Sequence, residues 1–145
     1  MNKKLIIAAI FALVATIAGL RHPSSDTTPG HDNGDISTLT QQQRVADYLR
    51  QHQRLPSYYL TKDEARRQGW QPASGNLCDI LPGRAIGGDR FSNREGRLPQ
   101  QQDRRWFEAD VNYRCGRRGS DRLIWSSDGM IYLTRDHYRH FEQVK

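Results

Sequence analysis

The sequence predicts helices in the first half of its folded part and a strand meander in the second. Three observations carry this. An apolar stripe at helical spacing follows Thr40, and a second helix start stands at Thr61-Lys62-Asp63-Glu64. Between Arg104 and Tyr138 lie three runs rich in aromatic and β-branched residues, the composition of half-buried strands. Two turn sequences separate those runs, Cys115-Gly116-Arg117-Arg118-Gly119 and Ser127-Asp128-Gly129. The 145 residues suffice for one domain and not comfortably for two.

Residues 1–20 are two lysines followed by an uncharged apolar run from Leu5 to Leu20, the n- and h-regions of an export signal. An uncleaved membrane anchor is the alternative, although the run is short for a span. Residues 21–36 hold Pro, Gly, Ser, Thr and Asp with almost nothing apolar, so they read as a disordered linker or pro-segment. His22 and His31 fall here, without a second ligand pair at helical or hairpin spacing.

The folded domain is expected over residues 37–145. Thr40 with Gln43 reads as a capping box, and Val45, Ala46 and Leu49 form the stripe of a helix that Arg54-Leu55-Pro56 ends. The Thr61–Glu64 box opens a helix that runs to Gln68 and stops at Gly69. Lys62 sits in its first turn. A lysine there is more often a solvated surface residue, but at the positive end of a helix it gains nothing from the dipole and suits an anion site. Gly75-Asn76 caps a short helix through Leu81, closed by Pro82-Gly83. The Gly87-Gly88 pair suits a bulge, and Ser92-Asn93-Arg94-Glu95-Gly96 a tight polar loop that offers backbone N–H groups and one carboxylate to a ligand.

In the first strand run Phe107, Ala109, Val111 and Tyr113 alternate with Trp106, Glu108, Asp110 and Asn112, so one face is apolar and the other carries two carboxylates. In the second, Leu123 and Trp125 alternate with Arg122 and Ile124, which puts Arg122 away from the apolar pair. The third, Met130 to Thr134, leads into Asp136-His137-Tyr138. A meander gathers a carboxylate, guanidiniums and an imidazole on one sheet face, an acid–base pair with an anion clamp. Asp110, on the same face as Glu108, is a candidate structural partner for Arg118 or Arg122. Asp89 and Asp128 read as loop carboxylates.

Basic residues outnumber acidic ones 22 to 16, a net charge of +6. Residues 1–36 hold three of each sign, so the remainder keeps the whole excess, nearly all of it arginine. A polyanion is the partner such charge favours, nucleic acid or an anionic membrane surface. Cys78 and Cys115 are the only cysteines. Without C-x-x-C or a matched His pair they do not suggest zinc, and in an exported chain they read as a disulfide. No P-loop, dinucleotide fingerprint or internal repeat is present.

The motifs ADYL, Y-x-T-K-x-E-A, GNL, IGGD, FSNREG, W-x-EAD, SDR, SSD and DHY follow one another in a single colinear order. From Thr40 to Lys145 the chain resembles the secreted bacterial guanyl-specific ribonucleases, barnase and its close relatives. The resemblance implies an α+β fold, N-terminal helices packed on a five-stranded antiparallel sheet in a single domain. It implies cleavage of single-stranded RNA after guanosine through a 2′,3′-cyclic phosphate, with no metal or other cofactor. By position, Glu108 resembles the general base and His137 the general acid, while Lys62, Arg118 and Arg122 resemble the cations around the phosphate. Ser92, Asn93, Arg94 and Glu95 resemble the reader of a guanine edge, with Phe91 and Tyr138 as stacking or pocket walls. A relative of this kind implies a monomer with an acidic, barstar-like inhibitor protein, and no stable membrane partner once the signal is removed. Arg117 departs from the pattern, standing where relatives commonly carry an aromatic residue, and adds a candidate phosphate contact. Gly129 replaces a bulky residue. The alternatives are an antibacterial effector using the same chemistry, a non-catalytic extracellular nucleic-acid-binding module, and a membrane-surface protein.

Overall fold

The computed structural model describes residues 35–145, one compact unit. The expected export signal, and the linker up to residue 34, lie outside the described residues. Within them the chain forms α1 (Ile36–Leu39), α2 (Gln42–His52), β1 (Tyr59–Leu60), α3 (Lys62–Arg67), a 3-10 turn (Pro72–Ser74), α4 (Leu77–Ile80), β2 (Ala85–Phe91), β3 (Trp106–Asp110), β4 (Arg122–Ser126), β5 (Ile131–Thr134) and β6 (Glu142–Gln143). This is the α+β fold the sequence predicts, with one difference in the sheet. It has six strands in the order β1 to β6, and its first pair, Tyr59↔Ala85 and Leu60↔Ile86, is parallel. The cause is local: Pro56 and the Tyr58 carbonyl, which accepts from Ala85 N–H at 3.1 Å, lay two residues of loop along the edge of β2.

Two expectations at the N-terminal end are corrected. The composition predicts a linker up to residue 36, but Asp35 caps α1, accepting from Thr38 N–H, and Ile36 is buried in the core. One apolar residue behind an Asx cap is enough to start the fold earlier. Thr40 does not cap α2 either. Its hydroxyl donates to the Ile36 carbonyl at 2.7 Å and accepts from Tyr113 N–H at 3.0 Å, stitching α1 to the segment just after β3. The N-terminal N–H of Gln42 instead donates to the Asn112 side chain at 3.3 Å, so the cap comes from 70 residues away. The second capping box forms as expected, with Thr61 and Glu64 bonded reciprocally.

The helices cover one sheet face. Val45, Ala46 and Leu49 of α2, Ala65 of α3 and Leu77 of α4 pack on Ala85, Ala109, Leu123 and Leu133. Gly87 is confined there, since a Cβ would lie 2.6 Å from the Tyr59 ring and 2.8 Å from Ala109 Cβ. The register slips between Gly87 and Asp89, the expected bulge, and Asp89 then accepts from Lys62 N–H at 3.0 Å. That contact anchors the start of α3 beside the sheet. The opposite face holds a smaller cluster of Leu98, Trp106 and Ile124 with Phe91, Tyr132, Tyr138 and Phe141 around it. Cys78 of α4 is bonded to Cys115 as expected, joining that helix to the loop after β3. Among the described residues no helix is long and apolar enough to cross a membrane.

Candidate active site

The uncovered sheet face is where β3 and β4 present their polar residues. Glu108 pairs with Ile124 across the ladder and Asp110 with Arg122, so strand alternation sets the two carboxylates side by side. Both are buried, Glu108 to 8% exposure and Asp110 to 3%.

Asp110 is the hub of the cations. Arg118 donates to its two oxygens from Nε and Nη2, at 2.8 and 2.7 Å, the bidentate fork geometry. Arg122 Nε lies 3.0 Å from Asp110 Oδ1, but its N–H is not aligned for a hydrogen bond. Arg122 is fixed instead by Nη1, which donates to the Gly119 and Asp121 carbonyls at 2.8 and 3.0 Å. Burial by itself would lower the Arg118 pKa, but the bonded Asp110 outweighs it and holds the guanidinium above its ordinary value. Two guanidiniums share one carboxylate, so the cluster keeps a net positive charge directed at an incoming anion.

Glu108 lies beside this pair. Its Oε1 accepts from the Tyr138 hydroxyl at 2.6 Å and stands 4.0 Å from Lys62 Nζ. Tyr138 is held neutral to well above the usual phenol range, first by burial and then by the Glu108 charge. Arg122 lies 6.0 Å from the Tyr138 ring centre, so the phenol is walled by a cation on one side and a carboxylate on the other.

His137 reaches the cluster through Tyr138, its ring edge-on at a centroid distance of 4.9 Å. Both residues have positive φ, 57° and 72°, a conformation that costs non-glycine residues energy unless neighbours enforce it. The enforcement is visible. Tyr138 N–H donates to Thr134 Oγ1, whose hydroxyl donates to Asp136 Oδ1, and Asp136 also accepts from the N–H groups of Arg139 and His140. The His140 side chain, the largest cause, together with its backbone N–H and the Thr134 hydroxyl holds the Asp136 carboxyl far below its usual range. His137 N–H donates to the Ser120 carbonyl, which fixes the turn against the β3–β4 loop. The His137 side chain itself is exposed.

Next to this cluster is a cavity of about 450 Å³, lined by residues 91–95 together with Arg97, Tyr138 and Phe141. Phe91 and Tyr138 stack at 5.1 Å and make its aromatic wall. Asn93 shapes the loop from inside. It is buried at φ 50°, donates to the Leu98 carbonyl at 2.9 Å and accepts from Leu98 N–H at 3.1 Å. Ser92, Arg94 and Glu95 are exposed, and Glu95 Oε1 sits 3.4 Å from Arg97 Nε.

The residues expected for acid–base chemistry, phosphate contact and base reading, Arg117 apart, thus fall into one of two adjoining groups, the cation–carboxylate cluster or the loop cavity. Tyr138 belongs to both, and its bond to Glu108 spans 30 residues with no local signal in the sequence. Arg97 and Phe141 are cavity walls that the sequence does not announce; a loop arginine and a terminal aromatic carry no periodicity that would mark them. Arg117 stands outside both groups, its Nε donating to the Ala73 carbonyl at 2.9 Å. Among the described residues no group of three His, Cys, Asp or Glu side chains is placed to hold a metal ion.

A ribonuclease family model matches residues 42–145. A ribonuclease of Heyndrickxia coagulans is 54% identical over 101 residues, covering 70% of this chain and 93% of its own length. A ribonuclease of Bacillus intermedius is also 54% identical over 101 residues, which cover 70% of this chain and 62% of that protein. A solved structure of ribonuclease Sa2 with guanosine-2′-cyclophosphate shares 34% identity over 38% of this chain and 59% of its own, at a TM-score of 0.35. Matched over most of its length by the family model, and at this identity to its relatives, the chain belongs to the ribonuclease family.

Proposed function

We propose that the protein is an exported endoribonuclease that cuts single-stranded RNA after guanosine without a metal ion. The observation that carries this reading is the buried Glu108 carboxylate beside Lys62 and the Arg118–Asp110–Arg122 group, next to an aromatic-walled loop cavity. A guanine stacked on Phe91 or Tyr138 would be read along its edge by backbone groups of residues 92–94 and by the Glu95 carboxylate. The ribose 2′-hydroxyl would then face Glu108.

In the first step Glu108 takes the 2′-hydroxyl proton and the 2′-oxygen attacks phosphorus. The bond to the 5′-oxygen breaks, and the imidazolium of His137 gives that oxygen its proton. The products are a 2′,3′-cyclic phosphate and a 5′-hydroxyl. Charge spreads over the phosphoryl oxygens during attack, and guanidiniums already fixed by Asp110 and backbone carbonyls stabilise it without reorganising. Acid and base each contribute on the order of 10²–10⁴ in rate. Single-stranded RNA suits such a site because its bases can be splayed out and stacked. The expected export signal and the Cys78–Cys115 disulfide support secretion, and the strongly cationic site suits an acidic inhibitor protein guarding the producing cell.

The test is incubation with a defined single-stranded RNA in EDTA, mapping the ends produced. Cuts after guanosine, cyclic phosphate ends and loss of cutting in Glu108→Gln and His137→Ala are expected. Cutting at every base, dependence on a divalent ion, or full activity in His137→Ala would overturn the proposal.

A further inference from the structure

A second groove, of about 490 Å³, opens on the opposite side of the sheet, beyond the end of α2. Its wall is aromatic. Phe107 of β3 and Trp125 of β4 are cross-strand partners whose rings stack at 5.8 Å, and both remain partly exposed because α2 stops at His52, short of that end of the strands. Leu49 and Arg50 of α2, with Gln53 just beyond its end, form the other side. Gly129 in the β4–β5 turn adds no side chain, and a Cβ there would meet nothing within 4 Å.

The surroundings are cationic. The Arg90 guanidinium lies 5.8 Å from the Phe107 ring centre, and Arg50 borders the groove. The nearby acids are engaged: Asp128 accepts two bonds from Arg104 Nε and one from Nη2, and Asp47 pairs with Arg50 at 3.3 Å. The second pair is exposed and holds Arg50 only weakly, so a phosphate can replace Asp47. Partly exposed aromatic rings bordered by arginines suit single-stranded nucleic acid, a stacking platform with charge for its backbone.

The groove is also connected to the active face. Arg90 and Phe91 are consecutive in β2, and alternation turns them to opposite sides, Phe91 into the loop cavity and Arg90 over Phe107. A strand leaving the cavity at Phe91 crosses one strand edge to reach Arg90.

We infer that the Phe107–Trp125 groove is a distal RNA-binding subsite, in which an unpaired base stacks on Trp125 while Arg50 and Arg90 hold the flanking phosphates. Its role is affinity for long substrates, not chemistry. It rests on the proposed active site only for the path of the strand, and its binding test does not require cleavage.

The first measurement is anisotropy of a labelled 12-residue oligouridylate on the purified Glu108→Gln protein, with Trp125→Leu, Arg50→Ala and Arg90→Ala added singly. Trp125→Leu is expected to weaken binding roughly tenfold, the loss of one stacked base. Each arginine change is expected to flatten the salt dependence by about 0.7 in log–log slope. The second measurement compares cleavage of a guanosine dinucleotide and of long RNA by proteins that keep Glu108. KM for long RNA should rise roughly tenfold in Trp125→Leu, with dinucleotide kinetics unchanged. Unaltered oligouridylate binding in all three variants overturns the subsite, as does an equal loss on both substrates. The surface arginine changes keep the question decidable if Trp125→Leu does not fold. Failure of wild type to prefer guanosine would refute the proposed specificity and leave the binding result standing.

Discussion

The Tyr138 hydroxyl donates a 2.6 Å hydrogen bond to Glu108 Oε1, joining the residue that walls the loop cavity to the buried carboxylate. A phenol in this position does two things. It satisfies one carboxylate lone pair when no substrate is present, and it reports on that carboxylate, because Glu108's charge helps to keep the phenol protonated.

Tyr138→Phe preserves the stack on Phe91 and deletes the donor. The expected cost is about 1.5–3 kcal/mol at neutral pH, that of a hydrogen bond to a charged group. The sign of its pH dependence follows from the raised phenol pKa. The contribution is complete below the unfolded phenol value of about 10 and is lost as pH rises from there toward the folded value. The gap in stability between wild type and variant should therefore be constant from neutral pH to about 9 and narrow above it. Urea midpoints across that range, with spectrophotometric titration showing one late phenol missing in the variant, check both points. A gap that widens with alkalinity would contradict the assignment.

Asp110 holds Arg118 bidentately and faces Arg122, and both its own side chain and that of Arg122 are nearly inaccessible. Asp110→Asn leaves the buried Arg122 and the partly buried Arg118 guanidiniums without their counter-charge. Breaking a buried pair in this way is strongly destabilising, by about 3 kcal/mol or more. The urea midpoint should fall with the slope unchanged, and activity should fall as well, because the guanidiniums are no longer aimed. Arg118→Lys separates the two effects. It keeps the charge, loses the fork, and should reduce kcat with a smaller loss of stability.

How far such relationships are visible in the sequence depends on their range. Strand alternation alone puts Glu108, Asp110 and Arg122 on one face, because period two is fixed by backbone geometry. The Thr61 box is legible for the same reason, all its partners lying within three residues. Thr40 fails as a cap because Tyr113 N–H, far along the chain, competes for its hydroxyl. The two-residue parallel pair at Tyr59–Leu60 has too few residues to show a pattern. The Tyr138–Glu108 bond, the Asn112 cap and the partly exposed Phe107–Trp125 face exist only once the chain is folded.

Asn93 forms the frame of the loop cavity. Its side chain makes both bonds to Leu98, and its backbone sits at φ 50°. Asn93→Ala removes two buried hydrogen bonds and puts a less tolerant residue at positive φ, for an expected loss of about 2 kcal/mol. Because the loop and not the carboxylate cluster is disturbed, KM for guanosine-containing substrates should rise more than kcat falls. Steady-state kinetics on a dinucleotide decide this; a pure kcat effect would mean the loop is not the base reader.

The Cys78–Cys115 bond closes a loop of 37 residues in sequence separation and ties α4 to the start of the segment that carries Arg118. In the chain-entropy account such a closure stabilises by about 4 kcal/mol, mostly through the unfolded chain. Replacing both cysteines by serine should therefore lower the urea midpoint substantially. Activity should respond much less, because the segment has other attachments. Arg117 Nε donates to the Ala73 carbonyl, and Gly75 lies so close to Arg117 that a Cβ would come within 2.6 Å of its backbone nitrogen. Arg118 itself is held by Asp110 and not by the disulfide. At a temperature where the double variant remains folded, kcat should stay within about threefold of wild type, less than one pKa-unit equivalent of barrier. A collapse of kcat in folded protein would show instead that the bond sets the position of Arg118, and the same result should then appear when wild type is reduced.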